Sequence, residues 1–237
     1  MKFTYGIWFD RENTSVYNAV EVDNVKFPQP GHIRALCTTR HVQERGDTLN
    51  QPTITVNLSS QALNVVAGAV WHFRGAKTSE PRFQLYGGSA APGSLAIEPQ
   101  TSANETTLQS GGLSAVVNTQ PNSFCIAFRE SSTGKLLTDL GFASVQYIVG
   151  APGQGVALAQ EAATSIADPY YRAPNSNSRA PFIALSFSLG VNEYVYGLGE
   201  RFGPFVKNGQ EIDMWNEDGG TCSPYGVQFL RLVPEQN

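Results

Sequence analysis

Near the end of this 237-residue chain, Tyr196 to Thr221 reads YGLGERFGPFVKNGQEIDMWNEDGGT and sets six glycines among charged and aromatic residues. Glycine reaches backbone conformations closed to other residues and lets a chain pass close to a ligand, so a binding loop is sought here first. Two phosphate-binding arrangements fail. Gly197 and Gly199 form G-x-G, but the third glycine falls at 203 rather than 202 and no helical pattern follows, which excludes a dinucleotide fingerprint. No Gly-Lys-Ser/Thr occurs, so a nucleoside triphosphate loop is excluded as well. Glu200 and Arg201 are adjacent, and an arginine fork pairs readily with carboxylates, so they read as an ion pair fixing the turn after Gly199 rather than as ligands. Asp218-Gly219 is, on residue types alone, a turn signature.

Other reactive side chains are dispersed. His32, His41 and His72 lack metal-ligand spacing, and His72, between Trp71 and Phe73, reads as a hydrogen-bonded strand residue. Cys37, Cys125 and Cys222 are odd in number and far apart, which fits neither a disulfide framework nor a zinc site and suggests buried free thiols. No metal and no cofactor are expected.

The elements that must position these residues are strands. Short alternating runs rich in β-branched and aromatic residues recur along the chain, punctuated by Gly, Pro, Asn and Ser. In Thr53 to Leu58, residues Ile54, Val56 and Leu58 share one face, and Leu113 to Val117 and Phe124 to Phe128 repeat the rhythm. Ser131 to Lys135 reads as a hairpin turn with Gly134 supplying a positive φ, and Gly111-Gly112 marks the start of another strand. Tyr86 to Gln109 and Ala167 to Ala180 read as loops outside the core, and Gln154 to Ala163 as one or two helical turns at most. Each half-apolar strand needs a second sheet to cover it, so the expected fold is an all-β antiparallel sandwich forming one domain over 1–221, with 222–237 as a separate tail.

Bulk properties narrow the partners. With 41% hydrophobic and 11% aromatic residues the composition is that of a folded globular chain. A formal net charge of −4 with dispersed basic residues offers no footprint for nucleic acid. Residues 1–14 contain no apolar run of roughly seven, and no stretch approaches a membrane span, so no membrane partner and a cytoplasmic location are expected. The N-x-Ser/Thr patterns at Asn13, Asn57 and Asn104 would then stay unglycosylated.

The segments YGLGERF, VKNGQ and WNEDGGT, in this order and spacing, resemble the end of the N-terminal domain in family 31 glycoside hydrolases, and NGQ followed by W-N-x-D-G-G-T resembles the α-xylosidase branch. Upstream, RGDTLNQPTITVNLSS (Arg45 to Ser60), AVWHFRG (Ala69 to Gly75) and GGLSAVVN (Gly111 to Asn118) are similar to the same branch. The likeness covers nearly everything up to Thr221.

The resemblance implies a galactose mutarotase-like sandwich that precedes a (β/α)8 barrel holding two catalytic aspartates, one the nucleophile and the other the acid/base of a retaining reaction. A barrel needs about 250 residues. Only sixteen follow Thr221, so no catalytic residue is assigned and the isolated chain is not expected to be an active α-xylosidase or α-glucosidase. In the family, a sandwich loop reaches over the barrel mouth, and its aspartate matches Asp218. Such a carboxylate accepts charge-assisted hydrogen bonds from adjacent hydroxyls of an α-linked xyloside or glucoside. Trp215 would offer an apolar face and Asn216 a donor-acceptor pair, with Gly219-Gly220 turning beside the sugar. The barrel is thus the implied intramolecular partner. Cys222 to Asn237, CSPYGVQFLRLVPEQN, departs from the family's continuation and reads as a truncated product or gene-model fragment, with an unpaired edge, an exposed apolar docking surface and poor solubility. A stand-alone carbohydrate-binding sandwich and a non-functional remnant are the competing readings.

Overall fold

A computed structural model describes residues 4–5, 9–10, 12–72, 98–152, 179–198, 203–210 and 229–232. The chain divides into two compact units, residues 13–188 and a second unit composed of 1–12 and 189–237. In the second unit β1 (Thr4–Tyr5) pairs antiparallel with β2 (Phe9–Asp10).

Within residues 13–188 three antiparallel sheets form. The first has three strands in the order β14 (Arg179–Leu185), β13 (Val145–Pro152) and β3 (Ser15–Asn18). The second runs β4 (Glu21–Lys26), β5 (His32–Thr38), β6 (Thr53–Ala62), β7 (Val65–Trp71). The third runs β12 (Leu136–Leu140), β11 (Ile126–Glu130), β10 (Leu113–Asn118), β9 (Glu105–Ser110), β8 (Gln100–Thr101). Period-two alternation sends Ile33, Ala35 and Cys37 of β5, Ile54, Val56 and Leu58 of β6, Leu108 of β9, and Ala115 and Val117 of β10 into one buried cluster, joined by Val145 of β13. Each large aliphatic side chain so buried contributes about 1.5–3 kcal/mol. The described residues bear out the antiparallel all-β sandwich.

Turn chemistry follows the expected positions. Gly134 has φ +72° in the β11–β12 turn, where its N–H donates to Glu130 O at 2.8 Å. Gly111 has φ +58° between β9 and β10, and a Cβ there would lie 2.3 Å from Asn64 Oδ1, which accepts a 2.7 Å bond from Gly112 N. Only glycine fits that turn.

The loop expected over Tyr86 to Gln109 is corrected at its end. Glu105–Ser110 is strand β9, registered along β10, and Thr106, Leu108 and Ser110 are buried. Ser and Thr count toward loops by composition, yet here Ser110 Oγ accepts from Ser60 Oγ at 2.7 Å and donates to Ala62 O at 3.0 Å, so polar inward positions are satisfied inside the sandwich. Arg179-Ala180, the end of the second expected loop, likewise begins β14. Residues 167–178 and the short helix expected over Gln154 to Ala163 lie outside the described residues.

Glu21, at the start of β4, is buried and bridges two sheets. Its carboxylate accepts from Val42 N at 2.9 Å, from Asn122 N at 2.7 Å and from Thr38 Oγ1 at 3.5 Å, and lies 2.6 Å from His41 Nδ1. Val42 follows β5, whereas Asn122 sits in the β10–β11 turn, so one carboxylate ties the four-stranded sheet to the five-stranded one. Burial pushes this carboxyl up, but the bonds from Val42, His41 and Asn122 outweigh it and hold it below its ordinary value. Phe124 N reinforces the tie by donating to Val20 O at 2.8 Å.

Candidate functional site

The described part of the glycine-rich motif is β15 (Tyr194–Gly197), Leu198 and residues 203–210. Asp218, Trp215 and Asn216 lie outside the described residues, as do Glu200, Arg201 and Gly219-Gly220. The described stretch precedes Trp215, Asn216 and Asp218 in sequence.

On one side, β15 pairs antiparallel with β16 (Phe229–Leu232), Tyr194 opposite Leu232 and Tyr196 opposite Leu230. The C-terminal stretch of the chain thus supplies a strand that pairs with the motif. On the other side, Lys207 N donates to Val195 O at 2.8 Å. Asn208, in VKNGQ, uses both ends of its amide: Oδ1 accepts from Val195 N at 2.7 Å and Nδ2 donates to Glu193 O at 2.9 Å. This clip holds residues 203–210 along β15. Lys207 Nζ donates to Pro204 O at 2.6 Å, and Gly209 turns the chain immediately afterwards with φ +70°.

Gly197 has φ +110°, and the next residue also has a positive φ: Leu198 has φ +73° and is buried. A leucine in that region costs about 1–2 kcal/mol. Burial of its side chain holds it there. Sequence reasoning made no reading of Leu198, though the flanking Gly197 and Gly199 signal an unusual backbone path.

Three rings line this segment. Tyr196 and Phe205 have centroids 5.2 Å apart at 57°, and Tyr194 and Tyr196 are 6.5 Å apart at 53°. Rings tilted this way brace one another and present no common flat face to a ligand.

The remaining candidates behave structurally. His72 Nδ1 lies 2.8 Å from Thr53 O and its ring stacks on Tyr147 at 4.1 Å, so the expected hydrogen bond is present, but the residue sits one position past β7 rather than in a strand. Burial and the charge of Arg34 lower the His32 pKa. Cys37 is a buried free thiol that burial pushes up to about 12, and burial together with Asp139 raises half-buried Cys125, so neither is a ready thiolate. Cys222 lies outside the described residues. Among the described residues, no group of His, Cys, Asp and Glu gathers as a metal ion would require, and no helix is long and apolar enough to cross a membrane.

Comparison with known proteins supplies what the geometry leaves open. A family model described as the glycosyl hydrolase 31 N-terminal galactose mutarotase-like domain matches residues 60–226, from within β6 past the whole glycine-rich motif. The chain belongs to this family. Over 241 residues it is 30% identical to an α-xylosidase of Emericella nidulans, covering 100% of this chain and 28% of that protein. It is 31% identical over 240 residues to the α-xylosidase XylQ of Lactiplantibacillus pentosus, covering 100% of this chain and 26% of that one. The family 31 domain thus spans little more than a quarter of the curated relatives it matches. Among solved structures, the cycloalternan-forming enzyme of Listeria monocytogenes, in complex with a pentasaccharide substrate, matches at a TM-score of 0.52 and 15% identity, over 88% of this chain and 15% of that one. That likeness supports the sandwich fold.

Proposed function

We propose that this family 31 domain serves an α-glycosidase acting on α-xylosides, or on the related α-glucosides, by supplying a substrate-binding loop to a catalytic barrel elsewhere in the longer protein. The observation that carries the reading is the likeness along the entire chain to two α-xylosidases, of which it spans 28% and 26%. In this reading hydrolysis belongs to a nucleophile and an acid/base on the barrel, by the retaining two-carboxylate route. Asp218 accepts hydrogen bonds from sugar hydroxyls, Asn216 adds a donor and an acceptor, and Trp215 covers an apolar ring face. The clipped segment 203–210 precedes these residues in the sequence.

The test is a chimera in which this chain replaces the corresponding N-terminal part of the Emericella nidulans α-xylosidase. It is expected to hydrolyse an aryl α-xyloside, and Asp218→Ala is expected to lower kcat/KM by roughly a hundredfold, about 2.7 kcal/mol of transition-state stabilisation. An Asp218→Ala chimera as active as its parent sinks the loop's role. The 237-residue chain alone is expected to show neither hydrolysis nor saturable sugar binding, because one loop brings too few groups to offset the ordering cost. Saturable binding that Asp218→Ala weakens would favour a stand-alone carbohydrate-binding module instead.

A further inference from the structure

We propose that Asn208 is a positioning residue for the substrate-binding loop, setting the point on β15 from which the chain departs toward Asp218, a role that rests on the reading of Asp218 given above. Strand β15 is held from both edges. At one, Tyr194 and Tyr196 stand opposite Leu232 and Leu230 of β16. At the other, Val195 and Glu193 are engaged by Lys207 and Asn208. Val195 stands opposite Arg231 in the β15–β16 pair, so Lys207 and Arg231 flank it from either side, two strand spacings or roughly 10 Å apart. Residues 211–228, which include Trp215, Asn216 and Asp218, begin after Gln210 on the Lys207 side and end before Phe229 on the other. Both anchors of that stretch therefore lie on one strand.

The anchor at Asn208 is made mainly by a side chain. Lys207 N donates to Val195 O at 2.8 Å from the backbone, and the Asn208 amide supplies two further bonds, accepting from Val195 N at 2.7 Å and donating to Glu193 O at 2.9 Å. A carboxamide carries the same donor and acceptor as a peptide group, so Asn208 does for β15 what the backbone of an adjoining strand would do. Its own main chain can then turn at once. Gly209 has φ +70° with open space where a Cβ would stand, so glycine is required there by conformation and not by crowding. Gln210 closes the turn, its N–H donating to Lys207 O at 3.2 Å and its side-chain amide to Val206 O. Both Asn208 bonds lie in an exposed setting, where a hydrogen bond adds little net stability. What they control is direction. A sugar-binding carboxylate further along depends on direction, because misplacing a binding group by about 1 Å can cost on the order of a hundredfold in rate.

The test is a double-mutant cycle in the chimera with the Emericella nidulans α-xylosidase. Asn208→Ala is expected to lower kcat/KM on the aryl α-xyloside about tenfold while the melting midpoint holds. In an Asp218→Ala background the same substitution is expected to change kcat/KM by about twofold or less, because the group it positions is gone. A merely structural asparagine would lower activity by the same factor in both backgrounds, and that result overturns the proposal. An Asn208→Ala chimera as active as its parent, beside a costly Asp218→Ala, also overturns it and leaves the reading of Asp218 standing. If Asp218→Ala is itself silent, that reading fails and the positioning role falls with it. Should Asn208→Ala fail to fold, Asn208→Asp enters the same cycle: it keeps the Val195 bond, loses the Glu193 one, and is expected to cost about threefold.

Discussion

In residues 13–188 the side chains that decide the structure are buried: Ile33, Ile54, Val56, Leu58, Leu108 and Val117 fill the interior, and Glu21 is fully hydrogen-bonded across two sheets. In residues 189–210 the side-chain contacts that set the backbone path are the Asn208 amide on β15 and the Lys207 bond to Pro204, both exposed, beside a buried Leu198 of positive φ. The first arrangement draws its stability from area removed from water; the second depends on a handful of hydrogen bonds, those of the clip and those of the β15–β16 pair. Regions of the second kind open locally at lower free energy, and binding loops are drawn from them. The family motif falls in the second region, where backbone path matters more than bulk stability.

That contrast can be broken by substitution, beginning with the largest effect. Ile54→Ala deletes a fully buried side chain between sheets and is expected to cost about 3 kcal/mol, read as a lowered midpoint in chemical denaturation. Hydrogen exchange at Val195 in the folded state is expected to stay as it was. If Val195 exchanges faster in that variant, the two regions share one stability and the contrast fails.

Glu21→Gln comes next, at about 2 kcal/mol near neutral pH, since an amide cannot accept as many bonds from Val42, Asn122 and His41. The sign of its pH dependence follows from a carboxyl held below its ordinary 4.5 in the folded state. Its stabilisation is complete above that ordinary value and is lost as pH falls through the folded value. The parent chain should therefore lose stability more steeply than Glu21→Gln on acidification below pH 4.5. Parallel pH profiles would show that Glu21 is not the linking group.

The smallest global effect is expected from Asn208→Ala, about 1 kcal/mol or less on the main unfolding transition. Locally it should be large: the Val195 amide loses its acceptor and should exchange at least tenfold faster. A global loss comparable to Ile54→Ala would place this clip in the core of the fold instead.

Much of the sandwich was legible because strand alternation is a local signal. Ile54, Val56 and Leu58, the Leu113 and Phe124 runs, and the Gly134 turn could all be read from neighbours within a few residues. Strand β9 was misread over Glu105 to Gln109 because Thr106 and Thr107 look like loop residues until the partner strand β10 is present. The roles of Asn208 and Leu198 were likewise hidden, since one acts on a strand thirteen residues away and the other depends on burial. Asp218, Trp215 and Asn216 were reached through motif resemblance.

By itself, then, the sequence determined an all-β chain and its place in family 31, because period-two alternation and three ordered motifs are written in adjacent residues. Only the tertiary structure decided that Glu21 would meet Asn122, 101 positions away, and that the tail would pair with β15 through Phe229–Leu232. The physical reason is that strand partners and sheet edges are chosen by burial and loop closure across the whole chain, and alternation carries no label naming the partner.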